Sequence, residues 1–147
     1  MTQPYSLIRG APLPTQVNSS VNVVLPATTD INTYLSFPTP VSVTIDFPFG
    51  DWRSLLLFSM HIDLTTNNAE VAFALDISGM TNVPAGSQPQ DRLHVIAKSP
   101  ISATFSLARV RTLLDGLTTF ELKYAGSSCD VEDASFEVIP LAMLGYR

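Results

Sequence analysis

The two histidines are the first residues of this sequence that could do chemistry. His61 and Asp63 are separated by one residue, so on a β-strand both side chains lie on the same face. An imidazole beside a carboxylate could begin a metal site, but such a site needs at least one more ligand. His94 has no acidic or histidine neighbour at a ligand spacing. We therefore expect hydrogen-bonded histidines in a sheet and no bound metal.

A second group of reactive residue types is Ser127, Ser128 and Cys129. The Gly-x-Ser-x-Gly turn that presents a nucleophile in α/β-hydrolases is missing from the sequence, and no histidine lies nearby along the chain. Cys129 is the single cysteine, so it cannot close a disulfide within the chain. We interpret it as a packing residue or a loop thiol that stays reduced.

Three carboxylates follow this cysteine, at Asp130, Glu132 and Asp133. Their oxygens could hold Ca²⁺, although a solvated acidic loop is the simpler interpretation. No glycine-rich phosphate loop occurs anywhere in the sequence. We expect no enzyme activity and no cofactor.

The charge and hydropathy of the chain argue against two further classes of partner. Its 147 residues include 8 Lys and Arg against 13 Asp and Glu, a net charge of −5. The basic residues are scattered, so no basic face is available for phosphates and we expect no nucleic-acid partner. No run approaches the roughly 18 apolar residues of a membrane span, and the N-terminus lacks the apolar core of a secretory signal. We expect no membrane partner and no export.

The elements that carry these residues are predicted to be strands. Apolar residues make up 46% of the chain and charged residues only 14%, and Thr, Ser, Val and Pro are abundant, which favours strands and turns over helices. Residues 108–117 have helical spacing, and we expect at most one turn of helix there, ended by Gly116. The fold class is predicted to be all-β, a two-sheet antiparallel sandwich of jelly-roll type. Its eight predicted strands are 21–25, 41–47, 52–64, 71–77, 92–97, 103–107, 120–124 and 136–144. The residues predicted to point into the core include Val43, Ile45, Leu56, Phe58, Phe73, Leu75, Phe105, Leu107, Phe120, Leu122 and Val138.

The chain divides into an extended N-terminal arm, residues 1–20, and a β-sandwich domain, residues 21–147. Prolines and a glycine interrupt the arm, and no regular period runs through it. Its apolar side chains are predicted to anchor the arm on another chain, with packing on its own domain as the alternative. These candidate anchors are Tyr5, Leu7, Ile8 and Leu13.

The segment 52–64 differs from the other predicted strands because both of its faces carry apolar residues. Trp52 and Leu56 lie on the face predicted to point into the core, while Leu55 and Leu57 lie on the other. We expect this second face to be covered as well, which makes Leu55 and Leu57 candidates for an interface between subunits.

Residues 104–141 read TFSLARVRTLLDGLTTFELKYAGSSCDVEDASFEVIPL. This stretch resembles the C-terminal part of the TNF/C1q-like jelly-roll domains of phage virion proteins, which include head-fibre, capsid decoration and tail-tip proteins. Leu113, Gly116 and the segments 120–124 and 139–141 occupy matching positions, and FALDISG at 73–79 is similar to an upstream strand of these domains. Two features depart from the pattern, the acidic 129–133 loop and the N-terminal arm.

The resemblance implies a virus structural protein, namely a capsid cement or decoration protein. Its implied partners are the major capsid protein and further copies of itself, as a homotrimer, and its location is the outer capsid surface of a virion assembled in the host cytoplasm. The alternative is a receptor- or carbohydrate-binding tip domain of a phage tail or head fibre. Two expectations favour the cement protein: Trp52 is predicted to lie in the core, and residues 1–20 lack the repeats of a fibre shaft.

Overall fold

Ten strands form two antiparallel sheets in the computed structural model, which describes residues 14–19 and 22–145. No α-helix occurs in these ranges, which contain one short 3-10 turn at Pro89–Asp91. The all-β prediction is therefore confirmed. The strands are β1 (Thr15–Ser19), β2 (Val23–Leu25), β3 (Leu35–Ser36), β4 (Ser42–Phe47), β5 (Asp51–Leu64), β6 (Ala69–Gly79), β7 (Arg92–Ala97), β8 (Ile101–Leu113), β9 (Gly116–Gly126) and β10 (Cys129–Gly145).

The strands pair in the nested order of a jelly roll. In sheet A, β10 pairs with β5 and β5 with β8, while β1 and β2 share the other side of β10. In sheet B, β9 pairs with β6 and β6 with β7, while β3 and β4 share the other side of β9. The pairs β2–β10, β4–β9, β5–β8 and β6–β7 thus run from outermost to innermost along the chain, as the predicted jelly roll requires.

The core lies between the two sheets and has an aromatic centre. The ring of Phe120 lies 6.4 Å from that of Phe47 and 5.7 Å from that of Phe136, measured between centroids. Three residues with the inward alternation, Val43, Phe105 and Leu107, are only partly buried, because β4 and β8 lie at sheet edges. The other residues with predicted inward positions are fully buried: Ile45, Leu56, Phe58, Phe73, Leu75, Phe120, Leu122 and Val138.

Residues 108–117, where at most one turn of helix was expected, contain no helix. The segment comprises the end of β8, two connecting residues and the start of β9, and Gly116 begins β9 with a φ of 105°, a conformation that favours glycine. A Cβ at this position would lie 2.5 Å from Cγ of Met80. Pairing of β8 with β5 along its whole length outweighs the local helical spacing, since every residue of β8 has a partner there.

Part of the predicted arm belongs to the sandwich. Residues 15–19 form β1, which pairs with β10 of the same chain from Thr15 opposite Val138 to Ser19 opposite Ala134. The predicted boundary near residue 20 is therefore not where the sandwich begins. The candidate arm anchors Tyr5, Leu7, Ile8 and Leu13 lie outside the described residues.

Candidate interaction face on sheet A

Leu55 and Leu57 lie on the outer face of sheet A, on its central strand β5. The register places Val110 of β8 and Ile139 of β10 on either side of Leu55, and Ala108 beside Leu57. Side chains directly opposite each other in antiparallel strands share a face and touch. These five residues are named here the apolar strip. Its members are only half-buried or exposed, and Val110 is 47% exposed.

The same face becomes polar beyond Leu57. Ser59, Ser106 and Ser135 lie side by side on β5, β8 and β10, and the hydroxyls of Ser59 and Ser135 are hydrogen-bonded at 3.0 Å. Because serine is small, this row forms the floor of a shallow groove across the sheet, which Gln16 and Glu137 also line. The groove offers hydroxyl, amide and carboxylate groups to a ligand.

His61 lies on the next row of this face, with both ring nitrogens beside hydroxyl groups. Its Nδ1 lies 3.1 Å from Oγ1 of Thr104, and its Nε2 lies 2.9 Å from Oγ of Ser102. Asp63 Oδ1 lies 3.5 Å from the same Nε2. His61 is therefore a hydrogen-bonded histidine in a sheet. No group of three or more His, Cys, Asp or Glu among the described residues is arranged to hold a metal ion.

His94 and Ser127 both contact Glu70 of β6. Nε2 of His94 on β7 lies 2.6 Å from Oε1 of Glu70. Sequence reasoning missed this partner because His94 and Glu70 are distant along the chain. The backbone N–H of Glu70 donates to Oγ of Ser127 at 2.9 Å. Ser127 thus holds the start of β6 to the end of β9.

The acidic residues after Cys129 lie on β10 and extend the polar end of the outer face. Asp130 is opposite Asp63, and Glu132 is opposite His61 and accepts a hydrogen bond from Nδ2 of Asn22 at 3.3 Å. Asp133 adopts a positive φ of 51° at a register shift of β10, where its side chain is exposed. The strand alternation thus divides the predicted acidic loop between a sheet face and a bulge.

Cys129 is a buried packing residue, with 3% of its surface exposed. Burial, and in second place the charge of Asp130, raise the pKa of its thiol to about 12. Reactive cysteines are accessible and have a lowered pKa. The thiol therefore has the properties of a structural side chain.

Sequence reasoning also missed a cluster of charges on the inner side of β8. Arg109 and Arg111 continue the inward alternation of Phe105 and Leu107, and both reach the carboxylate of Asp91, which is 9% exposed. Nε of Arg109 donates to Oδ1 of Asp91 at 3.1 Å, and Nη2 of Arg111 contacts Oδ2. Burial lowers the pKa of the Arg111 guanidinium. Arg109 and Arg111 follow Phe105 and Leu107 at the same spacing of two residues, and this spacing was the sequence signal that could have predicted their inward orientation.

Comparison with known proteins adds no assignment. No protein-family model matches the chain, and a search of curated proteins finds no similar sequence. In the described part of the chain, no helix is long and apolar enough to cross a membrane.

Proposed function

We propose that this protein is a virus structural protein, a capsid cement or decoration protein that binds the outer capsid surface as a homotrimer and stabilises the shell. The observation that carries the proposal is the apolar strip around Leu55 and Leu57. It lies on the outer face of β5, whose inward residues are already buried between the two sheets of the sandwich. Contiguous apolar groups on a rigid surface mark sites that a partner covers.

Further copies of the chain are the proposed partners at this strip. Leu55 and Leu57 lie on β5, which has β10 on one side and β8 on the other, so neighbouring strands of sheet A flank them on both sides. The edge of the strip is polar, with Glu137 beside Leu57 and the serine row beyond it. An apolar centre with a polar rim is the usual anatomy of a protein interface.

The major capsid protein is the proposed partner of the arm. β1 holds residues 15–19 on the edge of sheet A, next to the outer face. The anchors Tyr5, Leu7, Ile8 and Leu13 precede this attachment point. An extended segment attached to a stiff sandwich can place such side chains in grooves of a neighbouring subunit.

Cosedimentation with capsids that lack this protein tests the proposal. We expect the full chain to bind them and to raise the temperature at which they rupture. Deletion of residues 2–12 leaves β1 intact, so the sandwich should keep its circular dichroism spectrum while capsid binding weakens. Replacement of Leu7 and Ile8 by Ser should reproduce part of the loss, since each buried aliphatic side chain contributes roughly 1.5–3 kcal/mol. Equal binding by the truncated and full chains would contradict the role of the arm.

The alternative is a receptor- or carbohydrate-binding tip of a tail or head fibre, and the polar groove on sheet A favours it. Gln16, Ser59 and Glu137 there could hydrogen-bond sugar hydroxyls. Trp52, however, is buried, and its indole Nε1 donates to the carbonyl of Pro48 at 2.9 Å, so it offers no stacking surface for a sugar ring. Binding to a glycan array that Glu137→Ala abolishes, without capsid cosedimentation, would support the tip.

A further inference from the structure

β8 presents a long backbone edge that has no partner among residues 14–19 and 22–145. Its thirteen residues pair with β5 on one side, from Ile101 opposite Leu64 to Leu113 opposite Trp52, without a register shift. On its other side no strand of these ranges pairs with it. Every second peptide group of a strand points to each side. About half of the N–H and C=O groups of β8 are therefore directed away from the sheet.

Most of the features that protect an edge strand from pairing are missing from β8. Natural edges are shortened, bulged, covered by other elements, interrupted by proline or lysine, or given inward-pointing charges. β8 is long and pairs with β5 without a register shift, and its sequence ISATFSLARVRTL contains no proline, lysine, aspartate or glutamate. Arg109 and Arg111 are its inward-pointing charges, and both contact the carboxylate of Asp91, which offsets part of their charge.

The side chains along this edge are incompletely buried. Ile101, Phe105 and Leu107 pack against the core but remain partly exposed, whereas Leu56 and Phe58 on the neighbouring strand β5 are fully buried. A strand added along the unpaired edge of β8 would cover these three side chains. It would also supply hydrogen bonds to the free peptide groups.

We propose that β8 pairs with β8 of a second copy of this chain, antiparallel and about a twofold axis at Leu107. In this register all thirteen residues pair, and the inner-face partners are Ile101 with Leu113, Ala103 with Arg111, and Phe105 with Arg109. No charge opposes a like charge, and each guanidinium of Arg109 lies beside a Phe105 ring, a favourable cation–π arrangement. A chain of net charge −5 repels its copies over much of its surface, but β8 carries no acidic residue.

This pairing is distinct from the contact proposed at the apolar strip. It uses the backbone edge of β8, whereas the strip is a set of outward side chains centred on Leu55 and Leu57 of β5, with Ala108 and Val110 of β8 beside them. Substitutions at Ala103 and at Leu57 therefore test the two contacts separately. The β8 dimer would join the sheets of two copies into one continuous sheet.

Disulfide trapping tests the register. In Leu107→Cys the two new thiols meet on the twofold axis, where paired strands place Cβ atoms about 4.5–5.5 Å apart, within reach of a disulfide. Mild oxidation at tens of micromolar protein should then give at least tenfold more covalent dimer than oxidation of Ser102→Cys. Ser102 is exposed on the same strand but about 34 Å from its own copy in this register. The native Cys129 is buried and should stay reduced in both variants.

Second substitutions in the Leu107→Cys protein separate the two contacts. Ala103→Lys places a positive charge opposite Arg111 of the second copy, so the trapped dimer should fall at least tenfold. Leu57→Lys should leave its yield unchanged. Equal trapping in Leu107→Cys and Ser102→Cys, or trapping that survives Ala103→Lys, would overturn the proposal. Loss of trapping with Leu57→Lys would do so too, by assigning the dimer to the sheet face.

Hydrogen exchange of the unmodified protein gives a readout that does not depend on whether these variants fold. Protection of the β8 amides should rise with protein concentration, while that of the amides of β7, an edge strand of sheet B, should not. The same protection of β8 at low and high concentration would refute the pairing.

Discussion

The two faces of β5 show how one strand serves two purposes. Leu56 and Leu57 are adjacent leucines, yet Leu56 is 2% exposed between the sheets while Leu57 is half-buried on the outer face. On the inner side, partners come from sheet B, and the inward residues of β5 are all buried. On the outer side, only the neighbouring strands of the same sheet are present. The comparison separates residues that hold the fold together from residues that are available to a partner.

The largest effect is expected from Leu56→Ala, which removes a fully buried side chain. The free energy of unfolding should fall by about 2–5 kcal/mol, because the cavity cannot be filled without moving both sheets. Urea denaturation measures this, with Leu57→Ala as the matched control on the other face. A loss as large for Leu57→Ala as for Leu56→Ala would remove the distinction between the faces.

The next effect is expected from Asp91→Asn. This substitution removes the carboxylate that Arg109 and Arg111 contact at the β8 edge of the sandwich. The free energy of unfolding should fall by only about 1–2 kcal/mol, because both arginines remain partly solvated. Asp46→Asn, at an exposed position on β4, is the control and should change stability by less than about 0.5 kcal/mol. Equal unfolding midpoints for the two variants would show that the Asp91 contacts contribute nothing.

Cys129 makes the stability depend on alkaline pH. Its folded pKa of about 12 exceeds the ordinary value of 9.0, so the unfolded chain loses the thiol proton first as the pH rises. The contribution of the Cys129 thiol to the free energy of unfolding is therefore complete below about pH 9 and declines as the pH rises toward 12. The stability difference between the natural protein and Cys129→Ala should be smaller at about pH 10 than at about pH 8. Other titrating groups are common to both proteins, and a difference that stays constant would contradict the raised pKa.

The smallest effect on folding is expected from Leu57→Lys. Its Nζ can reach solvent in an isolated subunit, so the unfolding midpoint of the monomer should change little. Association should weaken, because an unpaired charge is buried only when the face is covered. Analytical ultracentrifugation across micromolar concentrations measures this, with Ser42→Lys on the exposed side of β4 as control. If both variants associate like the natural chain, the apolar strip is not a subunit interface.

Much of the fold was predictable, because side chains alternate between the faces of a strand and this alternation is a local property. It identified Phe58, Phe73 and Phe120 as inward residues and Leu55 and Leu57 as outward ones. It missed β1 because Thr15–Ser19 is mostly polar, and it missed β3 because two residues are too few to carry a period.

Which strands neighbour one another is decided by long-range pairing, and no local pattern encodes it. The edge position of β8 leaves Phe105 and Leu107 partly buried despite their inward alternation, and it brings Arg109 and Arg111 to Asp91. The same pairing places Val110 and Ile139 beside Leu55, turning two outward leucines into a strip. Alternation thus tells which side of a strand is apolar, while only the assembled sheets determine what faces that side.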